Sequence, residues 1–192
     1  MIAIIKYNGG NVSSVQNALN RLNVKSIITD DFEAIQKADK VIFPGVGEAS
    51  STMKILKEKG LDRLIPSLKQ PVLGICLGMQ LMCKNNEEGN TVGMGIFNIN
   101  VKKFPAKDIV PHMGWNTISG FKSPVFSGIE EKTDVYFVHS FYCELSEHTT
   151  SVCDYILPFS ASLQKDNFYA MQFHPEKSGE IGSRLLQNFL KL

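Results

Sequence analysis

Cys76 stands between two glycines in Gly74-Ile75-Cys76-Leu77-Gly78-Met79-Gln80, directly after the apolar run Pro71-Val72-Leu73 and just before a helical stretch. A strand that turns abruptly into a helix holds its corner residue in a strained conformation, and flanking glycines let the backbone pass without side-chain clashes. The spacing therefore predicts an exposed thiol. The amide of Leu77 and the start of the following helix would face the sulfur, favouring thiolate and later holding an oxyanion. A nucleophile of this kind needs a base and a group that orients the base. Gln172-Phe173-His174-Pro175-Glu176 offers both, because side chains two apart on extended backbone share a face and Pro175 fixes the intervening φ. Cys76, His174 and Glu176 thus form a candidate nucleophilic triad. The plain alternatives are a buried thiol at a tight turn, a structural histidine at a sheet rim and a surface carboxylate near a helix start.

The elements that must bring these groups together alternate. A strand at 2–5 is followed by a helix capped by Asn11 or Ser13, with Val15, Ala18, Leu19 and Leu22 on one face. Strands at 24–29 and 40–43 bracket a short helix opened by Asp30-Asp31. Pro44-Gly45-Val46-Gly47 reads as a loop feeding a helix at 49–59, and a further helix at 61–68 precedes the strand at 71–75. Short apolar strands separated by helices predict a doubly wound parallel sheet. From about residue 90 the pattern becomes β-rich, with strands expected at 97–104, 115–118, 135–140, 151–155, 160–164 and 168–173, some of them antiparallel edges. A helix at 179–190 closes the chain. The expected fold is α/β: one domain over residues 1–192, a mixed, mostly parallel sheet flanked by helices. Ligands of such sheets gather beyond the carboxyl ends of the strands, so the loops Asn8-Gly9-Gly10-Asn11, Pro44–Gly47 and the Cys76 corner should share one rim.

Composition narrows the partners. Twenty basic against nineteen acidic residues give a net charge of +1, with no Lys/Arg block, so neither nucleic acid nor an anionic membrane surface is suggested. No stretch approaches the roughly 20 apolar residues a membrane span needs, and the short apolar N-terminus is not signal-like, which points to the cytoplasm. Four cysteines, at 76, 83, 143 and 153, lack disulfide or zinc spacing. Cys83 is expected on the same helix as Cys76, packed in the core, with Cys143 and Cys153 also structural.

The Cys76 corner together with the segment 172–178 resembles the class I (triad) glutamine amidotransferases. Pro44-Gly45-Val46-Gly47, Pro111-His112-Met113-Gly114-Trp115-Asn116 and Tyr136-Phe137-Val138-His139-Ser140 are similar, more narrowly, to the branch of that family whose glutaminase subunits supply a TIM-barrel cyclase in histidine biosynthesis. Five motifs in matching order span nearly the whole chain. The resemblance implies a flavodoxin-like fold and glutamine hydrolysis through a thioester on Cys76, with His174 protonating the departing ammonia and Glu176 orienting His174. It implies oxyanion donors at Leu77 and at Gly45 or Val46, and substrate contacts from Gln80, Glu88 and Ser140. It also implies a heterodimer with the cyclase subunit, contacted around Asn11, His112 and Trp115, and no metal or organic cofactor. The glycines of Pro44–Gly47 would permit a peptide flip between inactive and active loop orientations. Two features depart from the pattern: Lys6 replaces an acidic residue often found there, and Cys83-Lys84-Asn85-Asn86 is unusually polar, which loosens the placement of Glu88.

Two other readings compete. One is another class I subunit, such as that of aminodeoxychorismate synthase, which the Pro44–Gly47 loop and the His112–Trp115 segment oppose. The other is a non-catalytic regulatory subunit that keeps the fold, which an intact Cys76, His174 and Glu176 oppose.

Overall fold

The computed structural model describes residues 1–7 and 11–192. The expected rim loop at Asn8-Gly9-Gly10 lies outside the described residues. Strands β1 (Ile2–Ile5), β2 (Ser26–Thr29), β3 (Lys40–Gly45) and β4 (Val72–Cys76) pair in the parallel order β2-β1-β3-β4, and β13 (Phe168–Met171) adds a further parallel neighbour to β4. β1, β3 and β4 are buried throughout, as crossover helices on either side require, while the edge strand β2 is half-buried. Helices α2 (Phe32–Lys37), α3 (Ala49–Lys59), α4 (Leu61–Ser67) and α5 (Leu77–Met82) cover one face through Ile35, Met53, Leu56 and Leu64. On the other face α1 (Val12–Arg21) buries Val15, Ala18 and Leu19, and α6 (Gly179–Leu190) buries Leu185, Leu186 and Phe189. Adjacent strand positions divide accordingly: Ala3 and Ile5 join the first cluster, Ile2 and Ile4 the second.

The β-rich half extends this sheet antiparallel from β13 through β12 (Leu157–Lys165) and β10 (Phe141–Cys143) to β7 (Phe97–Lys103). A branch of β11 (Thr149–Tyr155), β8 (His112–Ser119) and β9 (Thr133–His139) pairs off β12. The sheet is mixed, as expected, but its antiparallel pairings outnumber the parallel ones because every element after residue 90 except β13 and α6 belongs to this extension or to a connecting turn. Three local differences follow from the same geometry. Pro44 and Gly45 are the last residues of β3, paired with Ile75 and Cys76, so the loop begins only at Val46. Helix α5 ends at Met82, and Cys83 opens β5 (Cys83–Asn86), which runs parallel to β7 and pairs with β6 (Thr91–Val92). Cys83 is buried, as expected, but its sulfur lies 3.6 Å from that of Cys143 across the sheet. Asn11 precedes α1 without capping it; its side chain is used elsewhere.

Helix α2 is capped by Asp31, whose Oδ1 accepts from the Ala34 amide at 2.8 Å. Helix α3 is capped by Glu48, which accepts from the Ser50 and Ser51 amides. Hydrogen bonds from the Ser50 side chain and these two amides hold the Glu48 carboxyl down to about 2. Gly60, at φ 71°, ends α3 in a left-handed turn.

Candidate active site

The ends of β3, β4 and β13 lie side by side, so the residues that follow them meet at one rim. Gly45 is in register with Cys76 and Met171 with Ile75, which delivers Phe173 and His174 beside the cysteine corner. Cys76 adopts φ 53° and ψ −111°, a conformation costly for a residue with a side chain and maintained only where surrounding structure enforces it. The glycines supply that enforcement. A Cβ on Gly78 would sit 2.0 Å from the Phe43 carbonyl oxygen, and one on Gly45 would sit 2.6 Å from the Gly78 nitrogen. The end of β3 is thereby packed directly on the first turn of α5.

Cys76 is only 7% exposed, less than its corner position predicts, because β3, β9 and β13 close around it. Its sulfur is reached through a cleft of about 350 Å³ lined by Val46, Leu77, Gln80, Glu88, Ser140 and His174, together with Gly47, Pro111, Val138, His139, Phe141 and Lys177. Buried His174 places Nδ1 2.8 Å from Glu176 Oε1. Burial alone would lower the imidazole pKa, but hydrogen bonds and charge from Cys76 and Glu176 outweigh it and raise His174 to about 10. An imidazolium flanked by a sulfur and a carboxylate can hand a proton to a leaving group formed at Cys76. The three triad candidates therefore converge.

The remaining candidates divide. Leu77 begins α5 and lines the cleft, as does half-exposed Val46. Gln80 reaches the cleft but is tied inward: Nε2 donates to the Phe141 carbonyl and to Gln172 Oε1, both at 3.0 Å, and Oε1 accepts from Asn86 Nδ2 at 3.3 Å. Glu88 lies at the far end of the cleft, where Oε2 accepts from the Ala49 amide at 2.8 Å and burial raises its pKa. Asn11 donates through Nδ2 to Glu176 Oε1 at 3.0 Å, so its side chain braces the candidate carboxylate. Trp115 lies on β8, 58% exposed, outside the cleft. His112, expected at the partner interface, is instead buried at 4% exposed, where it stacks on Tyr155 at 4.0 Å. Its Nδ1 lies 2.9 Å from Nε2 of His139, whose own Nδ1 donates to the Phe141 carbonyl at 2.8 Å. Burial lowers His112 to about 4 and His139 to about 3, so both are neutral and each passes one hydrogen bond along the row.

Two site residues escape the motif reading. Gln172 directs Nε2 toward the Cys76 sulfur at 3.7 Å. An amide at the end of the apolar run Phe168–Met171 was its signal, since an uncharged polar group buried in a sheet must belong to a network. Tyr7 is the other, fully buried beside the end of β3; one tyrosine after an apolar strand carries no comparable signal.

Cysteine, imidazole and carboxylate at the rim of a three-layer α/β fold define a class. The family model for "Glutamine amidotransferase class-I" matches residues 3–192, and the chain belongs to that family. At the level of individual proteins, its sequence is 61% identical to imidazole glycerol phosphate synthase subunit HisH of Bacteroides fragilis strain YCH46 over 100% of this chain and 99% of that one. The subunit HisH proteins of Pasteurella multocida (46% identical, covering 99% and 97%) and Haemophilus influenzae (44%, covering 99% and 96%) are similar along the whole chain as well. Solved structures agree on the fold: one glutamine amidotransferase superposes with a TM-score of 0.75 at 18% identity over 100% of this chain and 98% of its own. Another, from Thermotoga maritima, gives 0.66 at 17% over 99% and 82%.

Proposed function

We propose that this chain is the ammonia-producing half of imidazole glycerol phosphate synthase, with Cys76, His174 and Glu176 as its working groups. The Cys76 sulfur attacks the side-chain carboxamide of glutamine, and the carbonyl oxygen takes up negative charge facing the Leu77 amide and the end of β3. His174 protonates the departing ammonia, leaving a glutamyl thioester, and then takes a proton from the water that releases glutamate. Glu176, braced by Asn11, holds the imidazole in line. Glu88 meets the substrate α-ammonium, while Ser140 and the Val138–Phe141 backbone form the opposite wall. Gln80 shapes the pocket through its bonds to Phe141 and Gln172.

The partner in this reading is a TIM-barrel cyclase subunit, forming a heterodimer in the cytoplasm. It takes ammonia by an enclosed route and joins it to the open-chain ribulotide of an aminoimidazole precursor, yielding imidazole glycerol phosphate and an aminoimidazole carboxamide ribotide. A sealed route suits the chemistry, since ammonia released to water is protonated and ceases to be a nucleophile. The docking face includes exposed Trp115 and Met113, two positions apart on β8. Among the described residues no helix is long and apolar enough to cross a membrane.

The observation that carries the proposal is His174 held between Cys76 and Glu176 at the wall of a substrate-sized cleft. Reconstitution with the cyclase tests it. Glutamine-dependent glutamate release should disappear in Cys76→Ala while ammonia-dependent synthesis survives; retained glutamate release in that variant removes the proposal.

A further inference from the structure

Gln172 follows β13 with no exposed surface and stands at one end of a row of buried side-chain amides. The other end is Asn86 on β5, whose Oδ1 accepts from the Glu88 amide at 2.8 Å and whose Nδ2 donates to Gln80 Oε1 at 3.3 Å. Gln80 Nε2 donates in turn to the Phe141 carbonyl and to Gln172 Oε1, both at 3.0 Å. Backbone groups cannot exchange roles, and they fix the direction of the row: the Glu88 N–H only donates and the Phe141 carbonyl only accepts. Each amide between them is therefore turned one way. Gln172, its Oε1 taken by Gln80, has its NH2 left for the Cys76 sulfur, 3.7 Å from Nε2. The sulfur has a second polar neighbour, the Val138 carbonyl, also at 3.7 Å. That carbonyl accepts from the thiol and repels the thiolate, whereas the Gln172 amide binds the sulfur more strongly once it is charged.

We propose that Gln172 is a catalytic residue, a neutral donor that stabilises the charged sulfur of Cys76 before it attacks and again when it leaves the thioester, with Asn86 and Gln80 keeping the NH2 aimed there. The inference rests on the glutaminase reading of Cys76. His174 does not cover this task alone, because the proton it holds is the one it gives to the departing ammonia. A carboxamide surrenders no proton, so its hydrogen bond serves the sulfur at both stages. Buried and already oriented by Gln80, it needs no rearrangement as charge develops.

Gln172→Met keeps the length of the side chain and removes the donor. Alkylation of Cys76 by iodoacetamide on the isolated chain, located by peptide mass spectrometry, should slow about tenfold near neutral pH, the effect of one hydrogen bond to a charged group. The deficit should close at high pH, where the sulfur is ionised with or without the amide. In the reconstituted complex the kcat for glutamate release should fall by a similar factor with KM little changed. In the unsubstituted chain, the Gln172 side-chain amide protons should move downfield by NMR as Cys76 ionises and should not do so in Cys76→Ala; this reads the contact even where Gln172→Met fails to fold. Alkylation as fast as wild type near neutral pH, a deficit that persists at high pH, or amide protons that do not respond to the ionisation overturns the role. A wild-type complex that releases no glutamate overturns the glutaminase reading instead, and alkylation and NMR still decide whether Gln172 holds the sulfur's charge.

Discussion

Gly78→Ala tests the cysteine corner by the smallest possible change. The new Cβ would lie 2.0 Å from the Phe43 oxygen and 3.1 Å from its carbonyl carbon, against comfortable separations of about 3.5 Å. Phe43 cannot yield, because β3 is paired with β1 on one side and β4 on the other. Helix α5 must therefore move by about 1 Å, carrying Leu77 with it and disturbing the torsions of Cys76. Overpacking of this kind costs about 1–3 kcal/mol of stability, and a misplacement of about 1 Å costs roughly a hundredfold in rate. For a chain of this length the melting temperature should fall by about 2–12 °C. Gly74→Ala supplies the graded comparison. Its Cβ meets the flexible thioether of Met82 at 2.8 Å and backbone only at 3.1 Å, so it should lose less on both scales. Calorimetry and glutamate release in the reconstituted complex measure both. A Gly78→Ala protein indistinguishable from wild type, or one less impaired than Gly74→Ala, refutes the reasoning.

His174, raised to about 10 from the ordinary 6.5, stabilises the fold fully below pH 6.5, and that contribution is lost as pH climbs toward 10. Denaturant unfolding across this window should show falling stability, and Glu176→Gln should flatten the fall by removing one of the charges that favours the imidazolium; an unchanged slope contradicts the assignment. Gln80→Leu leaves the buried Gln172 Oε1 and Asn86 Nδ2 without a partner and removes one donor from the Phe141 carbonyl, so chemical denaturation should report a loss of about 2–4 kcal/mol. Glu88→Gln should raise the KM for glutamine tenfold or more with a smaller effect on kcat, since the lost charge binds ground state and transition state alike; steady-state kinetics checks the split.

The parallel half of the fold was legible because its strands are continuous apolar runs and its helices carry clean amphipathic faces, as Val15, Ala18 and Leu19 on α1 illustrate. The convergence of the triad candidates was legible because a strained corner demands glycines and a buried base demands a carboxylate beside it. What escaped depends on register. Cys83-Lys84-Asn85-Asn86 is too polar to read as a strand, yet it pairs because β7 offers it an open edge. The resemblance places His112 at the partner contact, but β9 supplies Phe137 and His139 around it and β11 supplies Tyr155, which bury it. Asn11 reads as a helix cap, but Glu176, far along the chain, gives its amide a charged acceptor instead.

The central claim is a covalent one, that glutamine is opened on the sulfur of Cys76. Rapid acid quench of the reconstituted complex during turnover, followed by peptide mass spectrometry, reads it directly. The peptide containing Cys76 should carry a glutamyl mass that disappears on treatment with hydroxylamine. Glutamate formed steadily with the adduct on Cys83, Cys143 or Cys153, or with Cys76 freely replaceable by alanine, would contradict it.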